Sequence, residues 1–104
     1  MEMFAPSHPG EILREIFSDY NVTQIAQHLN VSRVSVSKLL NGRCSITPKM
    51  AAKLEKAIPH SSMEFWLNLQ QKYDIAQTRN NKNLIKELKN IKPFVFQSFL
   101  VLNT

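Results

Sequence analysis

The chain has 104 residues, 43% of them hydrophobic and 20% charged, with a net charge of +5; this fits one folded domain with a modest core and leaves little room for a second. No apolar run nears the roughly 20 residues of a membrane span, and the opening Met1-Glu2-Met3-Phe4-Ala5-Pro6 lacks the basic-then-apolar pattern of a signal peptide. With Cys44 as its single cysteine the chain cannot close an internal disulfide, so a cytoplasmic location is expected.

Apolar residues recur at helical spacing along most of the chain, and Gly10 and Gly42 are its only glycines, which predicts an all-α fold. Ile12, Leu13, Ile16, Phe17 and Tyr20 mark one face of a first helix running from about Pro9 to Asp19 or Tyr20. Asn21 and Gln24 form the reciprocal capping pattern that opens a second helix, whose Ile25, Ala26 and Leu29 face inward. Asn30 tolerates the left-handed backbone of a tight corner, Val31 plugs that corner, and Ser32 caps a third helix. There Val36, Leu39 and Leu40 point at the core, and Asn41-Gly42 ends the run. Thr47-Pro48 opens a fourth helix with a buried stripe of Met50, Ala51, Leu54, Ala57 and Ile58, closed by Pro59. Ser61 with Glu64 reads as a capping box for a fifth helix through Phe65, Trp66, Leu69 and Tyr73. Asn80-Asn81 breaks it, and Leu84, Ile85, Leu88 and Ile91 indicate a short last helix ending before Pro93. The stretch from Phe94 to Leu102 is aromatic, β-branched and uncharged, an extended segment that either packs on this domain or meets another chain.

Two short helices joined by a tight corner, Asn21 to Leu29 and Ser32 to Asn41, make a helix-turn-helix pattern. Ala26 is small enough for the helices to approach closely, and Val31 and Val36 fill the angle between them. The third helix is thereby held out with its other side free to enter a major groove. The charge pattern agrees. No acidic residue occurs between Asp19 and Glu55, while Arg33, Lys38, Arg43, Lys49 and Lys53 fall inside that interval, a positive surface suited to phosphates.

With Val36, Leu39 and Leu40 inward, Val34, Ser35, Ser37, Lys38 and Asn41 fall on or beside the exposed face, and Arg33 stands at its N-terminal end. Arg33 has the planar donor fork that fits guanine O6 and N7, and Val34 can touch a thymine methyl. Ser35 and Ser37 can bond bases or phosphates, and Lys38 can do either. The start of the second helix can offer amides to a phosphate, and Arg43 is placed to clamp the other strand, with Ser45, Thr47 and Lys49 as weaker candidates. A lone recognition helix binds weakly, and half-sites about 34 Å apart require a twofold protein. Phe65, Trp66, Leu69 and Tyr73 are candidates for a dimer or partner seam, although most of them read first as core; some of this helix, or the segment beyond it, is expected to form the seam.

The run NVTQIAQHLNVSRVSVSKLLNG, Asn21 to Gly42, resembles the helix-turn-helix of the Xre/Cro family. Three further segments resemble the HigA, or VapI-like, family of addiction-module antidotes: His8 to Leu13, then Asn41-Gly42-Arg43 with Ile46-Thr47-Pro48, and Glu64 to Gln70. The resemblance covers residues 8 to 76 or so. It implies a λ-repressor-like domain of about five helices, here expected over residues 1–79, with 80–104 as an extension made of a short helix and the apolar tail. It also implies a homodimeric antitoxin that represses its own operon at a palindromic operator in double-stranded DNA and neutralises a RelE-like, mRNA-cleaving toxin. The family's DNA-reading positions fall on Ser32, Arg33, Val34, Ser35, Ser37 and Lys38. Two residues depart from the family pattern. Val22 stands where relatives carry Gln, which removes a phosphate contact, and Asn30 replaces the usual turn glycine.

Other function classes fare worse. His8, His28 and His60 show no metal-ligand spacing with Cys44, so no metal and no cofactor is expected. There is no Gly-rich phosphate loop and no assembled nucleophile, so no enzyme is expected. An RNA binder would need an aromatic platform on a sheet, which an all-α chain lacks. A regulator without a toxin partner, or a partner-binding module that has lost its operator, stays open.

Overall fold

The computed structural model describes residues 6–95, and the expectation for residues 96–104 lies outside them. Six helices occur among the described residues, in the order α1 (Pro9–Ile16), α2 (Val22–Leu29), α3 (Arg33–Leu40), α4 (Pro48–Ala57), α5 (Met63–Arg79) and α6 (Lys82–Leu88). No helix among them is long and apolar enough to cross a membrane.

The core is drawn from one or more residues of each of the first five helices. Leu13, Ile25, Ala26, Leu29, Val36, Leu39, Ala51, Leu54 and Trp66 are buried together with Ile46 of the α3–α4 loop. Within the domain α2 packs on α3, α4 on α2 and α5, and α1 on α3 and α5, whereas α6 touches only α5. Gly10 makes the α1–α3 contact possible. A Cβ there would collide with the Leu39 carbonyl oxygen, so the two backbones meet where only glycine fits.

Both ends of the helix-turn-helix close in the same way. Asn30 adopts the left-handed region at φ 56°, its amide donates to Gln27 O at 3.2 Å, and the Val31 amide reaches back to Ala26 O at 3.0 Å. Gly42 does the same for α3 at φ +69°, with Gly42 N donating to Leu39 O at 3.1 Å and Arg43 N to Lys38 O at 2.8 Å. These paired bonds satisfy carbonyls that a helix end otherwise leaves bare. The Asn21–Gln24 capping box forms in both directions, at 2.8 and 2.9 Å. Ser32 caps α3 and Thr47 caps α4, with Pro48 in the first turn.

Three boundaries differ from the sequence reading. The first helix stops at Ile16, because Phe17 to Tyr20 turn on shorter bonds (Ser18 N to Glu15 O, Tyr20 N to Phe17 O) before Asn21 must be extended to cap α2. Ile16 and Tyr20 are accordingly 42% and 59% exposed rather than part of a buried face. The cap of α5 is Ser62, whose Oγ accepts from Phe65 N at 3.0 Å, so the Ser61–Glu64 box does not form. Ser61 instead donates back to the Ile58 and Leu54 carbonyls, closing the end of α4. The last helix ends at Leu88 and the chain tightens into three-residue turns, which leaves Ile91 65% exposed.

Candidate nucleic-acid interface

The outer face of α3 is built by its own core residues. Val36 and Leu39 are buried and Leu40 is half-buried, which turns Arg33, Val34, Ser37 and Lys38 to solvent. Val34 is 62% exposed, and an apolar side chain so placed gains nothing from the fold it belongs to. The side chains of Arg33, Lys38 and Arg43 have no hydrogen-bond or ion-pair partner among the described residues. Their donors are therefore available to an anion.

The serines divide differently. Ser32 Oγ accepts from Ser35 N at 3.0 Å and donates to Ser35 Oγ at 2.8 Å. As the cap it has spent its proton, while the Ser35 hydroxyl keeps its own proton for a base or phosphate oxygen. Ser37 is exposed and lies 3.4 Å from Asn41 Nδ2, which also donates to Ser37 O at 2.9 Å. At the start of α2 the capping box consumes the Asn21 and Gln24 amides, so a phosphate there would meet the Val22 and Thr23 amides alone.

Lysines of the acid-free interval do unlike things. Lys53 reaches from α4 to donate to the Asn30 carbonyl at 2.9 Å, stapling the corner between α2 and α3. Lys49 stays exposed beside a hollow of about 260 Å³ between that corner and the start of α4. Arg43 follows the left-handed Gly42, with its own amide bound to Lys38 O. Ser32, Arg33, Val34, Ser35, Ser37, Lys38 and Arg43 thus lie along one helix and its two ends.

The four bulky residues of α5 do not share a surface. Trp66 is wholly buried and so is a core residue and no contact for a second chain. Phe65 is 47% exposed and packs edge-on against Trp66 at 4.9 Å. Leu69 and Tyr73 are half-buried, and Tyr73 meets the His8 ring edge-on at 4.9 Å. Sequence reasoning missed the burial of two polar side chains, His8 and Gln70. The signals were present: a His directly before Pro-Gly at a helix start, and a Gln four residues after Trp66, on the buried face. Among the described residues no group of His, Cys, Asp or Glu is arranged to hold a metal.

Known proteins place the chain. A helix-turn-helix family matches residues 13–66. Virulence-associated protein A' of Dichelobacter nodosus is 43% identical over 74 residues, 69% of this chain and 64% of that protein. Among solved structures, an addiction module antidote of the HigA family from Coxiella burnetii superposes with a TM-score of 0.74 at 38% identity, over 88% of this chain and all of that one. The antitoxin HigA of Pseudomonas aeruginosa, solved with the higBA promoter, gives 0.73 at 32% identity, over 86% and 99%. The chain belongs to the HigA-like antidotes of the Xre-type helix-turn-helix family.

Proposed function

We propose that this chain is a DNA-binding antitoxin that reads an operator with α3. The carrying observation is the exposed face of α3, where Arg33, Val34 and Lys38 face solvent, the side chains of Arg33 and Lys38 without partners among the described residues, inside an interval free of carboxylates. Arg33 reads a guanine edge, Val34 meets a thymine methyl, and Lys38 with Ser35 and Ser37 contacts bases or phosphates. Arg43 neutralises a phosphate at the far end of the helix. The Pseudomonas aeruginosa HigA solved with its promoter supports this reading.

The finer reading extends the same geometry. Two copies bind the two halves of a palindrome, about 34 Å or one helical turn apart. Repression falls on the chain's own operon, and the partner neutralised is a RelE-like toxin that cleaves mRNA. Ile75, Ile85, Leu88 and Ile91 are 42%, 42%, 49% and 65% exposed, which makes the segment beyond Gln70 the better candidate for contact with another chain than Trp66.

The test is fluorescence anisotropy with DNA from upstream of the protein's own gene, at two salt concentrations, against scrambled DNA. Arg33→Ala should weaken the specific complex by about 1–3 kcal/mol and relax preference at one base position. Arg43→Ala should weaken all sequences alike and reduce the salt slope by about one phosphate. Equal binding to both DNAs by the unmodified protein would move the reading to a partner-binding protein.

A further inference from the structure

His8 and Gln70, at 6% and 4% exposure, are the buried polar residues among those described, and neither reaches the DNA-facing surface. Both spend hydrogen bonds on the same short segment, the loop from Arg43 to Ile46 that leaves α3. His8 Nδ1 accepts from Gly10 N at 2.9 Å, capping α1. That bond needs a bare lone pair on Nδ1, so the proton of the neutral ring sits on Nε2 and is donated to Cys44 O, 2.9 Å away. Gln70 Oε1 accepts from Ile46 N at 2.9 Å, and its Nε2 donates to Asp74 Oδ1 at 3.0 Å. The loop is thus gripped at Cys44 from α1 and at Ile46 from α5.

The grip bears directly on Arg43. Its amide is held by Lys38 O at 2.8 Å, and the carbonyl of the next residue is held by His8, so its backbone is fixed on both sides while its side chain stays free. The ring of His8 also rests on Gly42, where an added Cβ would lie 3.5 Å from its Cγ, and on Tyr73 of α5. One imidazole therefore touches the start of α1, the end of α3, the loop and α5. Filling that space would require only an apolar ring; two hydrogen bonds on opposite nitrogens do more, because they set the direction of both backbones.

We propose that His8 is a positioning residue for the nucleic-acid interface: through Cys44 it holds the loop so that Arg43 is presented in one place, and through Tyr73 it ties that placement to α5. What Arg43 contacts rests on the DNA-binding reading above; the tether itself does not. A side chain already placed loses less freedom on binding, so releasing the loop should weaken binding about two- to tenfold.

Two amides divide the functions of the ring. His8→Asn keeps an acceptor near the Nδ1 position, and Asn is a favoured helix cap, but it falls short of Cys44. His8→Gln keeps a donor near Nε2 and gives up the cap. Both are measured by DNA anisotropy at two salt concentrations and, without DNA, by hydrogen exchange of the amides from Gly42 to Ile46. H8N should exchange faster in that loop, bind about two- to tenfold more weakly with a shallower salt slope, and add little further loss when combined with Arg43→Ala. H8Q should lose stability and keep the salt slope. Wild-type exchange in H8N, losses that multiply with Arg43→Ala, or a loss on H8Q as heavy as on H8N would each overturn the assignment. If the unmodified protein shows no preference for the upstream DNA, the DNA reading falls alone, and the exchange of the loop in H8N still decides the tether.

Discussion

The stretch from His8 to Gln70 and the stretch from Gln71 to Val95 follow the same helical grammar with opposite results. In the first, every helix buries at least two residues and every corner has a cap. In the second, no described residue is buried. Ile75, Ile85, Leu88, Ile91, Phe94 and Val95 are 42%, 42%, 49%, 65%, 83% and 95% exposed. The two differ in what lies opposite the apolar stripe rather than in helix signals: α6 has its cap, with Asn81 Oδ1 accepting from Leu84 N at 2.9 Å. Caps and periodicity decide where a helix forms, but only a facing surface makes it contribute stability.

The largest effect that should separate the two regions is Trp66→Ala. Trp66 is wholly buried, so its removal should cost about 3–5 kcal/mol, much of a small domain's total stability. Trp66→Phe should cost clearly less, for a reason beyond volume. The indole N–H finds no hydrogen-bond partner among the described residues, and losing an unsatisfied buried donor returns part of its desolvation penalty. Urea unfolding followed by circular dichroism measures both. A Trp66→Phe loss no smaller than its lost volume alone accounts for would mean that the indole N–H is satisfied in solution.

A smaller effect tests a corner of the packed region. Asn30 sits at φ 56°, where a side chain with a Cβ but no local hydrogen-bonding group is strained. Asn30→Ala should cost about 1 kcal/mol, and Asn30→Gly should be neutral or slightly stabilising. The Lys53 bond should survive both, since it goes to the backbone carbonyl. Loss of more than about 2 kcal/mol in the glycine variant would show that the Asn side chain carries a further role.

Legibility in the sequence follows the same divide. Asn21, Asn30, Ser32, Thr47 and Pro48 were readable because each acts through backbone within a few residues of itself. The outward face of α3 was readable because three inward residues fix the phase of a helix. Ser61 was misread for a local reason: Ser61 and Ser62 are both capping residues, and the choice between them depends on the α4 carbonyls that Ser61 answers. The cap that His8 places on Gly10 N is local, but the bonds of His8 to Cys44 and of Gln70 to Ile46 were beyond local reading, since those partners lie 36 and 24 residues away. The Ser32–Ser35 bond was local, yet a capping serine and a base-reading serine look alike in sequence. The burial of Trp66 could not be separated from a seam by periodicity, because both put an aromatic residue on an apolar stripe.

The smallest expected effect is the one that bears most directly on the second region. Leu88 is 49% exposed and α6 touches only α5, so Leu88→Ala in a dilute monomer should change stability by less than about 0.5 kcal/mol, as a surface substitution does. If the stripe of α6 is covered by a second chain, the cost appears only as that chain binds. The urea midpoint of the unmodified protein should then rise with concentration, and that of the variant should rise less. Sedimentation velocity over the same range gives the stoichiometry. The surrounding charges sharpen the choice of partner: Arg79, Lys82, Lys86, Lys89 and Lys92 accompany the stripe, with Glu87 as the one acid from Ile75 to the end of the chain. Two such segments repel when they meet, so a self-seam made here should tighten as salt is raised, whereas a contact with an acidic partner should loosen. A concentration-independent loss of more than about 1.5 kcal/mol in Leu88→Ala would instead place α6 firmly on its own domain and erase the contrast between the two halves.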